Sequence, residues 1–338
     1  MTRVCLTPRL QGVGGMVSFQ GRLAAGLTQR GVEVTYDLAA RPVDAVLVIG
    51  GTRQLGGLWQ ARREGIPVVQ RLNGMNWIHR RRRTGVRHFL RAEYGNLLLA
   101  TIRSRFASRI VYQSRFSQIW WERMYGSARA PSQVTYNGVD LNVFSPHGRH
   151  ERPQATHRIL MVEGSLGGGY EMGLAWGVGL VERLSRMGFT VELVVAGRIS
   201  ARLQTQWQQK ALIPLHFAGL VDAQDIPALD RSAHLFFAAD LHPACPNSVI
   251  EALACGLPVS ALDTGALLEL VQGDAGQIVP YGGDPWELDP PDLDGLAQAA
   301  AQILHQPLRY RAGARQRAET ALGLDQMVDG YTAALLGS

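Results

Sequence analysis

Short, continuous apolar runs alternate along this chain with longer segments in which apolar residues recur every three or four positions. The first kind of run predicts buried strands and the second amphipathic helices. Arg3 to Thr7, Val32 to Leu38, Ala45 to Gly50 and Ile66 to Leu72 read as strands, with helices from Met16 to Gln29 and up to Glu64 between them. Arg109 to Gln113 and Gln133 to Tyr136 are later strands of the same series. The rhythm restarts at Arg158 to Val162, followed by a glycine-rich turn from Glu163 to Gly169 and a helix from Tyr170 to Met187. Leu174, Val178, Val181 and Leu184 place one apolar stripe on that helix. Val191 to Ala196, Leu215 to Phe217, Leu235 to Ala238 and Leu257 to Leu262 continue the second series. Apolar strands separated by amphipathic helices predict an α/β chain with two parallel sheets, each covered on both faces.

Composition is compatible with two domains: 338 residues, 46% hydrophobic and 18% charged, suit a soluble globular protein of that size. The polar segment Ser145 to Thr156, with its prolines and charges, is the natural linker. Residues 1–146 are then a first domain, 147–156 the link and 157–318 a second domain. No apolar run approaches the roughly 20 residues that a membrane span needs. MTRVCLTP lacks a signal-peptide core, so a cytoplasmic protein is expected. Cys5, Cys245 and Cys255 have no paired metal spacing and read as reduced thiols. The net charge of +6 is carried by arginine, Lys210 being the sole lysine, and favours anionic partners.

The densest chemistry lies between Asn247 and Glu269, in NSVIEALACGLPVSALDTGALLE. Pro246 and Asn247 mark the start of a helix over Ser248 to Ala254, and Gly256 and Pro258 mark its end. Asp263-Thr264-Gly265 turns the chain into a further helix carrying Glu269. Helix N-termini favour anions, and Glu251, one turn inside the first helix, is placed to accept hydrogen bonds from a ribose diol. A carboxylate that only stabilises the helix dipole is the plainer reading of Glu251, and Glu269 divides the same way. The loop Gly12-Val13-Gly14-Gly15 offers side-chain-free backbone to a diphosphate or sugar, and equally serves as a tight turn. A dinucleotide-dependent reductase would need its acid at Asp37, and the second half shows no reductase chemistry.

CPNSVIEALACGLPV followed by DTGALLELV resembles the donor-site signature of the family 4 glycosyltransferases. YNGVDLNVFSP, from Tyr136 to Pro146, is similar to their interdomain segment, and Gly12 to Leu38 to their first loop and helix. With LDQMVDGYTAALL near the end, the resemblance covers nearly the whole length. It implies the GT-B architecture, two Rossmann-like domains with parallel sheets facing a central cleft, and a terminal helix in 319–338 that returns to the N-terminal domain. It implies Glu251 on the nucleotide ribose, with Gly14, Gly15, Asn247, Ser248, Thr264, Gly265 and Glu269 as further donor-binding positions.

Departures from the family pattern shape the expected chemistry. Many relatives carry an acid eight positions before the helix glutamate; here that position is Pro243, flanked by Asp240 and His242 as substitutes. The usual cations after the strand ending at Val162 are replaced by EGSLGGGYEMG. The diphosphate then falls to backbone amides around Gly164 and Gly168 and to Arg198, or it is not held for chemistry. After Val68 to Leu72 stands Asn73-Gly74 where relatives often have histidine; Asn73 can orient a hydroxyl but cannot take its proton. A retaining transfer tolerates this, because the leaving phosphate can accept the acceptor proton.

The expected activity is transfer of a sugar from a nucleotide-diphosphate sugar to a glycan or lipid-linked acceptor, with retention. A GT-B-like binding or scaffold protein without catalysis, and a nucleotide-sugar epimerase, remain as alternatives. No acid pair has metal-ligand spacing, so neither a metal nor a cofactor other than the donor is expected. Arg80, Arg81, Arg82, Arg83 and Arg87, interleaved with Phe89, Leu90, Tyr94 and Leu97, suit an anionic membrane surface or a lipid-linked acceptor. A solvated helix face or a partner protein is the plainer reading, and no nucleic-acid-binding module is recognisable.

Overall fold

The structure, a computed structural model, describes residues 2–12, 14–167 and 171–337. The chain folds as two compact units, Met1–Gly138 with Gly323–Ser338, and Val139–Leu322. The first contains β1 (Arg3–Thr7), α1 (Gly15–Gln29), β2 (Glu33–Thr35), β3 (Ala45–Ile49), α2 (Leu55–Arg63), β4 (Val68–Leu72), α3 (Val86–Thr101), β5 (Arg109–Tyr112), α4 (Arg115–Tyr125) and β6 (Ser132–Val134). The second contains β7 (His157–Ser165), α5 (Met172–Arg186), β8 (Val191–Arg198), α6 (Ala201–Lys210), β9 (Leu215–Gly219), α7 (Ile226–Ser232), β10 (Leu235–Ala238), α8 (Asn247–Ala254), β11 (Val259–Leu262), α9 (Leu267–Leu270), β12 (Gly276–Val279), α10 (Leu293–His305) and α11 (Pro307–Ala321). A last helix, α12 (Leu324–Leu336), belongs to the first unit.

The first sheet has the order β2-β1-β3-β4-β5-β6, with parallel pairing throughout. Every residue of β3 is buried, as a strand covered on both faces requires. Phe19, Leu23 and Leu27 form one stripe of α1 and pack with Met327, Val328 and Tyr331 of α12 against Val4, Leu6 and Leu47. The opposite face of the sheet buries Cys5, Val46 and Val68 beneath Leu58 and Ala61 of α2. Arg109 donates to the carbonyls of Ala333 (3.1 Å) and Ala334 (3.0 Å), giving the open end of α12 the cation it favours.

The second sheet, order β12-β11-β10-β7-β8-β9, is also parallel. Here several sequence expectations are corrected. β7 does not stop at Val162: its pairing with β8 resumes at Ser165 past an irregularity, so Glu163 and Gly164 lie in a strand rather than a turn. β8 likewise runs on to Arg198. Asn247 does not cap α8 but is its first residue, with Pro246 in the capping position and no side-chain cap bond. The helix expected to carry Glu269 is the four-residue α9. Residues 147–156 lie within the second unit, where Arg152 donates twice to the Arg231 carbonyl (3.0 and 2.7 Å).

Candidate functional site

From β7 the chain builds outward through β8 to β9, and from β10 outward the other way through β11 to β12. β7 and β10 are therefore neighbours at a topological switch point, the place where open parallel sheets bind ligands beyond their carboxyl ends. A cavity of about 220 Å³ opens there. Its apolar wall is Met161, Leu166, Met172 and Leu241, and its polar groups are Glu163 and Asp240. Burial pushes the Glu163 carboxyl well above the usual carboxylate range, the charge of Asp240 pushes it further, and the Ala239 amide opposes both. Burial lifts Asp240 to about 6 against the opposing hydrogen bond from the Leu241 amide. Two half-buried carboxyls lining one small cavity oppose each other's ionisation.

The loop after β10 is held over the turn after β11. Thr264 Oγ1 donates to the Asp240 carbonyl (3.3 Å), and the Ala266 amide to the Pro243 carbonyl (2.9 Å). Gly265 adopts φ 59°, and a Cβ there would lie 2.5 Å from Pro243, so only glycine fits the crossing. The predicted site residues Asp240, Thr264 and Gly265 are thus brought together. His242 is 5% exposed and stacks on Trp286 with ring centroids 3.5 Å apart. Burial lowers its imidazole to about 4, leaving it neutral and packed beneath the loop.

Glu251 is half-buried on α8, with Asn247 and Ser248 half-buried in the turn before it. Its charge acts on Asp230 of α7, a fully buried carboxyl that the sequence analysis did not single out. Burial first, and Glu251 second, raise Asp230 well above the carboxylate range, while Arg231 and the Cys255 thiol oppose them. Glu269 is half-buried on α9, whose last carbonyls, Glu269 (2.7 Å) and Leu270 (2.9 Å), accept from Arg317.

A second cavity, about 480 Å³, lies past the end of β8 and shares Leu166 with the first. Arg198 lines it, joined by Arg202 and Ser200 of the α6 start and by Glu171. Arg202 escaped the sequence analysis because a lone arginine in a polar helix carries no motif. Gly164 is exposed at the end of β7, and Gly168 lies outside the described residues.

In the first unit, the switch point falls between β1 and β3, and the glycine loop follows β1. Gly14 occupies the capping position of α1 at φ 143°, its carbonyl accepting from Val17 (3.0 Å) and Ser18 (3.1 Å), and Gly15 opens the helix. Asn73 is engaged on both sides: Oδ1 accepts from Arg71 (2.9 Å) and its carbonyl from the Trp121 indole (2.7 Å). Arg71 is 1% exposed, donates also to Asn137 Oδ1 (3.1 Å) and lies 3.7 Å over the Phe19 ring. A buried arginine inside a strand has no sequence signal. Arg80 is drawn from the expected surface patch by a two-pronged pair with Glu93 (2.6 and 2.8 Å). Arg80 first, with His79, brings Glu93 down to about 2. Arg81, Arg82, Arg83 and Arg87 are exposed.

Two Rossmann-like parallel sheets, in the arrangement of the solved structures named below, give the chain the GT-B fold. Residues 157–306, within the second unit, match the family model of the group 1 glycosyltransferases. The whole chain superimposes on sucrose-phosphate synthase from Thermosynechococcus elongatus at TM-score 0.72 and 15% identity, covering 100% of both chains. HepE from Anabaena, solved with UDP-glucose, gives 0.70 and 16% with the same coverage. WaaG, a glycosyltransferase involved in lipopolysaccharide biosynthesis, gives 0.72 and 14%, covering 99% of this chain and 100% of the other. At such identities the likeness is one of fold. No curated protein sequence matches the chain.

Proposed function

We propose that the protein moves a sugar, with retention of configuration, from a nucleotide-diphosphate sugar to a glycan or a lipid-linked acceptor met at the inner face of a membrane. The observation that carries the reading is the pair of adjoining cavities in the second unit. One has an apolar wall and two carboxyls raised by burial; the other bears Arg198 and Arg202. Their chemistries divide a nucleotide sugar between them: hydroxyls suit groups that both donate and accept, and a diphosphate suits guanidinium. HepE, similar in fold, is described in complex with UDP-glucose, which supports a donor of that class.

Glu251 takes the ribose diol, with the first turn of α8 at Asn247 and Ser248 beside it. Thr264, Gly265 and Glu269 border the donor sugar, as does Asp240, while buried His242 supports the loop that presents it. Gly164 contributes backbone. Gly14, Gly15 and Asn73 act from the first unit, Asn73 with its amide fixed by Arg71 and able to orient an acceptor hydroxyl. Its inability to take a proton accords with the departing phosphate as base, and the transfer proceeds without a metal.

The test is a thermal-shift and calorimetry screen of nucleoside diphosphates and their sugars against the native protein and Glu251→Ala. A ligand-induced rise in melting temperature that the substitution removes supports the donor site. No response to any nucleotide refutes it. Binding without consumption of donor in the presence of glycan and polyprenyl-phosphate acceptors leaves a binding protein, and inversion of the sugar without acceptor an epimerase.

A further inference from the structure

α3 turns an apolar stripe outward in addition to the one it packs inward. Ala92 and Asn96 form its buried side, and Asn96 clamps the helix to the Asn76 backbone by accepting from the amide (3.0 Å) and donating to the carbonyl (2.8 Å). On the opposite side, Val86, Leu90, Tyr94 and Leu97 follow one another at helical spacing and fall within one narrow stripe. They are 77%, 63%, 52% and 62% exposed, values expected of polar residues. Over three turns this is a continuous apolar ridge of roughly 16 Å, at the ordinary helical rise.

Arginine borders the ridge. Arg87 and Arg91 lie along one flank, Arg53 sits 6.0 Å over the Tyr94 ring, and exposed Arg81, Arg82 and Arg83 lead into the helix. The carboxylate on the other flank, Glu93, is already held by Arg80 and His79. The ridge and its border are therefore apolar in the middle and cationic at the edge. A polyanion such as duplex DNA would use the arginines and leave the leucines in water. An anionic bilayer uses both, with the aliphatic stripe at the acyl boundary and guanidinium groups reaching lipid phosphates. Among the described residues no helix is long and apolar enough to cross a membrane, so such a contact lies on the surface.

We infer that the exposed face of α3, with Arg81 to Arg83 before it, docks this protein on the surface of an anionic lipid bilayer. The docking deepens the membrane-side reading proposed above and is tested independently of donor binding, since none of these side chains lines either cavity of the second unit.

Sedimentation of the full chain with phosphatidylcholine vesicles, with and without phosphatidylglycerol, tests it. Binding is expected only with phosphatidylglycerol and falls as salt rises. Arg87→Gln with Arg91→Gln weakens it about fivefold per arginine, the equivalent of about 1 kcal/mol each at an anionic surface. Leu90→Ser with Leu97→Ser weakens it about tenfold or more. Leu212→Ser, at a leucine 87% exposed in the second unit, leaves it unchanged. Melting temperatures and nucleotide responses of all variants match the parent, which separates lost docking from lost folding or lost donor binding. Absence of binding, equal binding to neutral vesicles, or indifference to the leucine pair overturns the inference. So does a dimer in light scattering that the leucine pair dissolves, which makes the ridge a contact between copies of the chain. DNA binding that depends on the arginines alone, without vesicle binding, overturns it in favour of a nucleic acid.

Discussion

Glu163 and Asp240 reach one cavity from neighbouring positions in the sheet, one near the end of β7 and the other just past β10. The carboxyls are raised, Asp240 to about 6, so the pair gains negative charge as pH rises through that value. The cavity adjoins the one bearing Arg198, and the added charge opposes a diphosphate held there as proposed. Nucleotide-sugar affinity is expected to fall by several-fold between pH 5 and 7.5, and Asp240→Asn to flatten the fall; the order of magnitude follows from ~1.4 kcal/mol per tenfold change. Calorimetric titration across that range checks it, and equal slopes in the two proteins would sink the idea.

Gly265 predicts the cost of disturbing the same loop. Alanine there meets both a left-handed backbone and the Pro243 contact, so the turn and the loop bearing Asp240 must move apart. The conformational term alone is about 1–2 kcal/mol. Gly265→Ala should therefore lower the melting temperature by several degrees, at about 2–4 °C per kcal/mol for a domain of this size. It should weaken nucleotide-sugar binding more than nucleotide binding, because the displaced loop borders the proposed sugar position. Equal loss for both ligands would place the loop elsewhere.

Arg315 of α11 ties the segment after Asn137 to α8. It donates to the carbonyls of Leu141 (3.2 Å), Phe144 (2.8 Å) and Ala254 (2.8 Å), and to Glu319 (2.6 Å). Removing the guanidinium strands carbonyls that have little water, each worth about 1–3 kcal/mol. Arg315→Ala is expected to destabilise the second unit by roughly 2–4 kcal/mol. Glu319→Gln, which breaks the more exposed pair, should change stability by less than about 1 kcal/mol. Calorimetric unfolding of both variants decides it, and similar losses would show the ion pair, rather than the carbonyls, to be what matters.

The two parallel sheets were legible because fully covered strands read as unbroken apolar runs, and Ala45 to Ile49 shows the pattern without a polar residue. Thr264 and Gly265 stood out because one contiguous stretch of chain contains both. The Glu163–Asp240 pair was hidden, since it exists only once β7 and β10 are neighbours, and nothing local encodes strand order. Arg80 looked like surface charge because its partner, Glu93, faces it from the next helix. The periodicity of α3 identified an amphipathic helix, yet periodicity alone cannot say which face turns outward. That depends on Asn96 clamping its own side of the helix to Asn76, a tertiary contact.

Asp230 offers the sharpest electrostatic prediction. Its carboxyl is fully buried, has no nitrogen or oxygen partner among the described residues, and meets the weakly donating Cys255 thiol. Burial and Glu251 raise it above its unfolded value, so the folded state binds a proton that the unfolded state has released. Stability from this group is therefore fully present below the unfolded value near 3.8 and declines as pH rises toward the folded one. The slope for one such group is up to about 1.4 kcal/mol per pH unit. Asp230→Asn, close to the neutral form in shape, removes that slope, so the variant should gain stability relative to the parent as pH increases from 4. Glu251→Gln should shrink the same slope by removing the neighbouring charge, and in the double variant the two effects should be less than additive. Urea unfolding of the four proteins at several pH values measures it. Parallel stability curves for parent and Asp230→Asn would mean that Asp230 is solvated or paired, and that Glu251 ionises without reference to it.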